Sequence, residues 1–237
     1  MTNVGDGLHA ENAAWSFAGE VSVGFDAHVS KSIPLYQQGH ELVLSLSDFF
    51  VTEDSMCYDI GCATGVLLEK LLLRHQVKPN VNFVGIDLEP DMITQAKARC
   101  QSYSQVEIHC GNLMDFQFEA TDFIVAYYTL QFIRPKFRQE LLERLYSALN
   151  WGGSLLLFEK VRAPDARFQD LATALYADYK LAQGYSGEQI LAKALSLKGI
   201  LEPFSTEGNL GLLRRSGFVD ITTVMKYICF EGFLAIK

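Results

Sequence analysis

A chain of 237 residues with 49% hydrophobic and 20% charged side chains can bury one substantial core and is slightly long for a minimal α/β domain, so a single domain with an insertion is expected. The net charge of -8, with only short basic pairs at Lys160/Arg162 and Arg214/Arg215, offers no positive surface to neutralise a phosphate backbone and argues against direct nucleic-acid binding. Five cysteines without a CxxC pair predict reduced thiols and no metal site, and the lack of a leader or of any run near the roughly 18 apolar residues of a membrane span predicts a cytoplasmic protein without a membrane partner.

Residues 1–50 are expected to form an N-terminal helical cap and 51–163 a cofactor-binding core of alternating strands and helices. In chain order the core reads as strand Met56–Gly61, helix Thr64–His75, strand Val81–Asp87 and helix Pro90–Tyr103, the last opened by its proline and acids. Strands Val106–Cys110 and Asp122–Tyr127 follow. Helix Pro135–Asn150 then carries Leu141, Leu142, Leu145 and Leu149 on one face, and Gly152-Gly153 turns into strand Ser154–Glu159.

Residues 164–205 break the alternation with a helical pattern and read as an insertion over the substrate face, before helix Thr206–Ser216 closes the sequence of helices. Phe218–Cys229 and Phe230–Lys237 are two β-rich runs joined too tightly for a parallel crossover, so they must pair antiparallel. Residues 206–237 thus give a final helix and strand pair. The whole predicts a Rossmann-like fold of the kind that binds S-adenosyl-L-methionine (SAM), with a seven-stranded, mostly parallel sheet and an antiparallel last strand.

The sharpest motif is Asp59-Ile60-Gly61-Cys62-Ala63-Thr64-Gly65 at the first strand-to-helix junction. Gly61 permits a tight turn and Gly65 close packing, so that a ligand can approach the backbone at the carboxyl edge of the sheet. A dinucleotide loop would place its second glycine where Cys62-Ala63 stands, so the loop suits an amino-acid-bearing nucleoside better than a pyrophosphate.

Asp87, ending the second strand, is placed to accept two hydrogen bonds from a ribose diol. Asp59 either caps the turn or meets the ligand, through water or the methionine ammonium. Asn112 and Leu113 follow the third strand, where an amide can read the adenine edge.

With these pieces in place the chain resembles the carboxy-S-adenosyl-L-methionine synthase family, SAM-fold enzymes that serve wobble-uridine modification in tRNA. The similarity runs from about Trp15 to Lys237. It is carried by Trp15-Ser16-Phe17, Phe25, Lys31-Ser32-Ile33-Pro34-Leu35-Tyr36, Tyr58-Asp59-Ile60-Gly61-Cys62 and Gly85-Ile86-Asp87. Further matches are Thr129-Leu130-Gln131-Phe132, Leu149-Asn150-Trp151-Gly152-Gly153, Glu159-Lys160, Gly184-Tyr185-Ser186 and Ser216-Gly217-Phe218. The resemblance implies that Tyr36, Gly61, Cys62, Ala63, Asp87, Leu88, Asn112 and Leu113 contact the cofactor. It also implies a homodimer whose helical insertions meet near the active sites.

Two positions depart from the family. Its arginine that pairs with the carboxylate added to the cofactor aligns with Ala194, and its cofactor-facing asparagine aligns with Tyr127. Alanine offers no donor to a carboxylate, whereas a guanidinium offers a fork. Lys193 is adjacent, but neighbours on a helix point about 100° apart, which argues against its taking over.

The expectation is therefore a SAM-dependent methyltransferase that acts on a small molecule and releases S-adenosyl-L-homocysteine (SAH). The alternatives are carboxy-SAM synthase using SAM and prephenate, and a non-catalytic SAM-binding sensor or scaffold. Tyr36 and Tyr127 lead a set of aromatics, with Tyr128, Tyr176, Tyr179 and Tyr185, that suit a sulfonium and a flat substrate. Tyr127 and His28 are the candidate catalytic residues, His28 because a near-neutral imidazole can take a proton. Glu159 admits a structural or a substrate role.

Overall fold

The computed structural model describes residues 2–237. The chain opens with strands β1 (Thr2–Gly5) and β2 (Leu8–Ala10) and helices α1 (Glu20–Ser32) and α2 (Tyr36–Ser47). It continues through β3 (Met56–Ile60), α3 (Val66–His75), β4 (Asn82–Asp87), α4 (Pro90–Cys100), β5 (Val106–Cys110) and β6 (Thr121–Tyr127). Next come α5 (Pro135–Ala148), β7 (Leu149–Lys160), α6 (Ala166–Ala182), α7 (Gly187–Ser196), α8 (Thr206–Ser216), β8 (Asp220–Tyr227) and β9 (Phe230–Ile236).

The main sheet runs β5-β4-β3-β6-β7-β9-β8, with β3 to β7 parallel and β9 antiparallel to both its neighbours. Parallel strands need cover on both faces, and the central ones are apolar without interruption: Phe123, Ile124 and Val125 in β6 and Leu155 to Phe158 in β7 are fully buried. Ile124, Leu155 and Leu157 pack with Leu141, Leu142 and Leu145 of α5 and Leu212 and Leu213 of α8. Phe123, Val125, Leu156 and Phe158 pack on the opposite face, with α2 and α3. Each such leucine contributes about 1.5–3 kcal/mol by leaving water. The sheet order reverses at β3, which opens a crevice at the carboxyl ends of the strands.

Residues 2–10 correct the expectation of a helical cap: β1 and β2 pair antiparallel across an Asp6-Gly7 turn. Val4, Leu8, Ala10 and Trp15 pack against Ala192, Leu197 and Ile200, at and just beyond α7. The amides of Ala13 and Trp15 donate to the carbonyls of Leu195 and Ser196, groups that a helix end leaves without internal partners. Two boundaries also move: α3 begins after Gly65 rather than at Thr64, and β7 begins at Leu149, directly where α5 stops. Between β7 and α8 the chain forms α6, capped by Asp165, and α7, capped by the reciprocal Ser186/Gln189 box. Among the described residues no helix is long and apolar enough to cross a membrane.

Candidate functional site: one cavity with two ends

The crevice at the β3 and β4 termini deepens into a cavity of about 360 Å³, roofed by α1 and walled on the far side by α6 and α7. Its near end is made by the β3–α3 loop. The amides of Gly61 and Cys62 both donate to the Ile86 carbonyl, at 2.7 and 3.0 Å, which ties the loop to the end of β4. Gly61 sits at φ 75, and a Cβ there would run into the Thr129 side chain, itself anchored by donating to the Ile60 carbonyl at 2.9 Å. Gly65 does the close packing expected of it, its missing Cβ letting α3 lie on Ala96 of α4, but it does not line the cavity, where it was also expected to contact the cofactor.

Asp87 is fixed by two backbone donors, Ala63 at 3.0 Å and Glu89 at 2.9 Å, one on each carboxylate oxygen. Burial raises its pKa while these bonds oppose the rise. Asp59 is 2% exposed and one of its oxygens, Oδ2, has no partner among the described residues. Burial and the nearby Asp87 charge push it up to about 7. Both carboxylates line the cavity, as do Cys62, Ala63 and Leu88. Asn112 and Leu113 complete this end; the Asn112 carbonyl oxygen accepts from Met114 N–H at 3.0 Å, leaving its amide NH2 to a ligand.

The middle of the cavity is aromatic. Tyr36, His40 and Tyr127 stack edge to face or tilted with centroids 4.7–5.2 Å apart. The Tyr127 hydroxyl donates to the Tyr36 carbonyl at 2.6 Å, and burial holds its pKa far above the usual phenol value, so Tyr127 stays protonated with its hydrogen committed to that bond. His40 is 1% exposed with neither ring nitrogen partnered among the described residues, and burial takes its pKa down to about 3. Tyr128 follows with φ 62, an unusual backbone for a bulky residue, and turns an unpartnered hydroxyl toward the same space. Glu159 lies outside the lining: it is fully buried, burial raises it to about 8, and the Arg138 charge opposes that rise.

The far end is basic. Lys160, Lys180 and Lys193 all line it, from β7, α6 and α7. Lys160 and Lys180 lie over opposite reaches of the Tyr176 ring, at 4.4 and 5.5 Å from its centroid, and Lys193 sits over Trp15. On α7 it is Ala194 that faces solvent while Lys193 faces the cavity, so the helical offset works in the opposite sense to the sequence expectation.

His28 is held here. Its Nδ1 lies 2.7 Å from Asp6 on the N-terminal turn, and its Nε2 is 3.4 Å from Ser32 Oγ. Burial, reinforced by the Lys193 charge, outweighs Asp6 and pulls the imidazole down to about 4. Burial works to raise Asp6, but hydrogen bonds from Tyr185, Lys31 and His28 bring it to about 2. Neutral His28 then donates from Nδ1 to Asp6 and keeps Nε2 as an acceptor, an assignment that follows from the bonding network.

Sequence reasoning did not assign Asp6, Asp26, His40, Thr129 or Lys180 to the site, whereas Glu159-Lys160 was expected at the ligand-binding edge, and of that pair Lys160 lines the cavity. Asp26 accepts from Thr64 at 2.5 Å and from Arg99 at 2.8 Å, which fastens α1 over the loop. The Asp6-Gly7 pair was a readable hairpin signal. For Lys180 no local signal exists, because which face of α6 turns inward is decided by packing.

A family model described as a methyltransferase domain matches residues 58–153. The carboxy-S-adenosyl-L-methionine synthase of Staphylococcus epidermidis is 34% identical over 224 residues, covering 94% of this chain and 97% of that protein. That of Campylobacter jejuni subsp. doylei is 36% identical over 236 residues, covering 98% and 99%. Among solved structures, an O-methyltransferase family protein from Burkholderia thailandensis superposes with a TM-score of 0.64 at 18% identity, over 92% of this chain and 59% of that one. Human N-acetylserotonin methyltransferase in complex with SAM gives 0.56 at 18%, over 94% and 60%. The chain thus spans less than two thirds of these two structures, and they establish the fold.

Proposed function

Because the chain belongs to the carboxy-S-adenosyl-L-methionine synthase family, we propose that it works as a SAM-dependent transferase passing the sulfonium methyl to a small-molecule acceptor. One observation carries the cofactor half of this reading: Asp59, buried with an unpartnered oxygen, and Asp87, clamped by two amides, face one cavity beside a glycine turn. Those acceptors fit an ammonium and a ribose diol in sequence, with the Asn112 amide beyond them for a nucleobase.

Asp59 would hold the methionine ammonium, Asp87 the ribose hydroxyls, and Asn112 with Leu113 the adenine. Cys62, Ala63 and Leu88 would line the nucleoside, and Gly61 would admit it. Tyr36 and Tyr127 present ring faces to a cation, and the Tyr127–Tyr36 bond fixes their relative position. Bound SAM supplies an electrophilic methyl whose carbon–sulfur electrons leave with sulfur, giving SAH. His28, oriented by Asp6 with Nε2 as its acceptor, is a weak base, because burial holds its imidazole down to about 4 rather than near neutrality. With positioning supplying most of the acceleration, the aromatic wall matters more than any base.

The second reading, carboxy-SAM synthase using prephenate, is favoured by Lys193: a cation faces the cavity although Ala194 replaces the family's arginine. Incubation with SAM and prephenate, followed by mass spectrometry of the nucleoside, decides between them. An unchanged or demethylated nucleoside supports methyl transfer; a carboxylated one overturns it in favour of the second reading.

The five cysteines are free thiols, which suits a reducing cytoplasm. Phe168, Leu171 and Leu175 on α6 and Leu191 on α7 are exposed apolar residues close to the cavity, supporting the homodimer through the helical insertion. Sedimentation of the protein at micromolar concentration tests that assembly: a monomer would reject it.

A further inference from the structure

His40 lines the cavity while only 1% exposed, and neither of its ring nitrogens has a partner among the described residues. The ring keeps its place without them, packed against Tyr36 and Tyr127 with both centroids 4.7 Å away. Burial, with the Lys70 charge, brings the imidazole down to about 3, and Lys70 itself is engaged by Gln37 and Glu41. The ring is therefore neutral and offers one N–H and one lone pair. A buried donor and acceptor left unmade are costly, so the fold retains them at a loss of stability that a ligand can recover.

His40 stands next to the ammonium site. Burial, together with the Asp26 and Asp59 charges, raises the Tyr36 phenol, so Asp59 acts on the same side chain against which His40 packs. Val66 and Leu67, from the first turn of α3, line the cavity as well. Gly65 gives that turn no side-chain cap, its Glu69 is paired with Arg99 at 3.5 Å, and first-turn amides have no partner inside a helix. Other donors at this end are engaged: the Gly61 and Cys62 amides by Ile86, the Ala63 amide by Asp87 and the Thr64 hydroxyl by Asp26. Asp59 and Asp87 thus accept from an ammonium and a diol, while the carboxylate of an amino-acid tail, one carbon from its ammonium, still needs N–H groups.

We propose that His40 is a specificity-determining contact that donates its ring N–H to the α-carboxylate of the cofactor's amino-acid tail, with the uncapped first turn of α3 adding the positive end of its dipole. The inference rests on the reading that Asp59 and Asp87 hold SAM, and it adds the group that reads the acid of the tail. A neutral imidazole suits the task, because it binds a carboxylate through a charge-assisted hydrogen bond and brings no further cation beside the ammonium and the sulfonium. The site then distinguishes SAM from its decarboxylated relative, an aminopropyl sulfonium with the same nucleoside and the same ammonium.

Calorimetry on the full chain compares SAH, its decarboxylated analogue S-adenosyl-3-thiopropylamine, and 5′-methylthioadenosine, which lacks the whole tail. No heat with SAH from folded protein would reject the cofactor reading itself. In the unmodified protein SAH is expected to bind at least about 10-fold tighter than the decarboxylated analogue, as a hydrogen bond to a charged group implies. Equal affinities would leave the cofactor reading intact and overturn the carboxylate contact.

His40→Phe keeps an aromatic ring between Tyr36 and Tyr127 but has no nitrogen. SAH affinity should fall at least about 10-fold, while the two ligands without the carboxylate keep theirs within about 2-fold. His40→Asn and His40→Gln return an N–H at the reach of Nδ1 and of Nε2, and one of them should retain SAH affinity within about 3-fold of the parent. A loss shared by all the ligands in His40→Phe would assign the ring to packing alone; unchanged SAH affinity there, or the full loss in both amide variants, would equally overturn the contact. The comparison of SAH with its decarboxylated analogue needs no variant, so poor folding of a substituted chain does not remove the test.

Discussion

At the β3 end of the cavity the polar groups come from three short stretches, 59–65, 85–89 and 111–113, and backbone amides hold the acceptors in place. At the far end Asp6, His28, Lys160, Lys180, Tyr185 and Lys193 arrive from six separate places in the chain, and side chains hold one another. The near end is acidic and the far end basic. The difference also predicts robustness. Backbone-built geometry should fail abruptly when the backbone is disturbed, whereas the side-chain end should lose function in increments.

The sharpest way to break the near end is Gly61→Ala. The new Cβ meets Thr129, and alanine at φ 75 carries left-handed strain of about 1–3 kcal/mol. SAH binding by calorimetry should be lost by 100-fold or more, with a lower melting temperature. Retained affinity would mean that the loop is not the cofactor turn.

Asp87→Asn is next. Its shape is kept, but an NH2 must face Ala63 N–H or Glu89 N–H, and hydrogen bonds to a charged acceptor are worth about 1.5–3 kcal/mol, so SAH affinity should drop by about 10- to 100-fold. A loss confined to stability would leave Asp87 as a loop anchor only.

Asp59 predicts a pH effect of known sign. Its folded pKa of about 7 lies above the ordinary carboxylate value of 3.8, so between these the folded state holds the extra proton. SAH-free stability should fall as pH rises through that window, and Asp59→Asn should flatten the curve. SAH affinity should instead rise toward pH 7, since the ammonium calls for the ionised form. Glu159, raised to about 8, acts in the same direction, so the comparison with Glu159→Gln isolates each share. A steep curve persisting in Asp59→Asn but gone in Glu159→Gln would refute the assignment.

The two ends also differ in how far they could be read from sequence. Contiguous motifs carry their own geometry: Asp59, Gly61 and Asp87 lie at strand ends whose apolar runs announce them, and the close packing expected of Gly65 is met by Ala96 of α4. The fold was legible for the same reason, down to the antiparallel β9 that a two-residue connection demands. Lys180 and Lys193 sit in amphipathic helices where a lysine ordinarily faces water, and only the docking of the β1–β2 hairpin onto α7 turns Lys193 inward. Strands of four and three residues fall below the length at which alternation can be recognised, so the Asp6-Gly7 turn was the one local sign of that hairpin and, with it, of Asp6.

The smallest effect tests the wall between the ends. A Cβ on Gly39 in α2 would collide with the Tyr127 hydroxyl, so the position of the Tyr127 ring depends on the absence of a side chain one turn after Tyr36. Gly39→Ala should therefore destabilise by about 1 kcal/mol, the overpacking cost of roughly 1–3 kcal/mol being partly offset by alanine's better helix propensity. In a Tyr127→Asn background the obstacle is gone, and the same Gly39→Ala step should become stabilising by up to about 1 kcal/mol. Chemical denaturation of the four proteins gives the coupling energy directly. A reversal of sign shows that Tyr127 and Gly39 form one packed unit that sets the wall; additive effects would show that the ring can swing away, and that the wall does not fix the acceptor against the sulfonium.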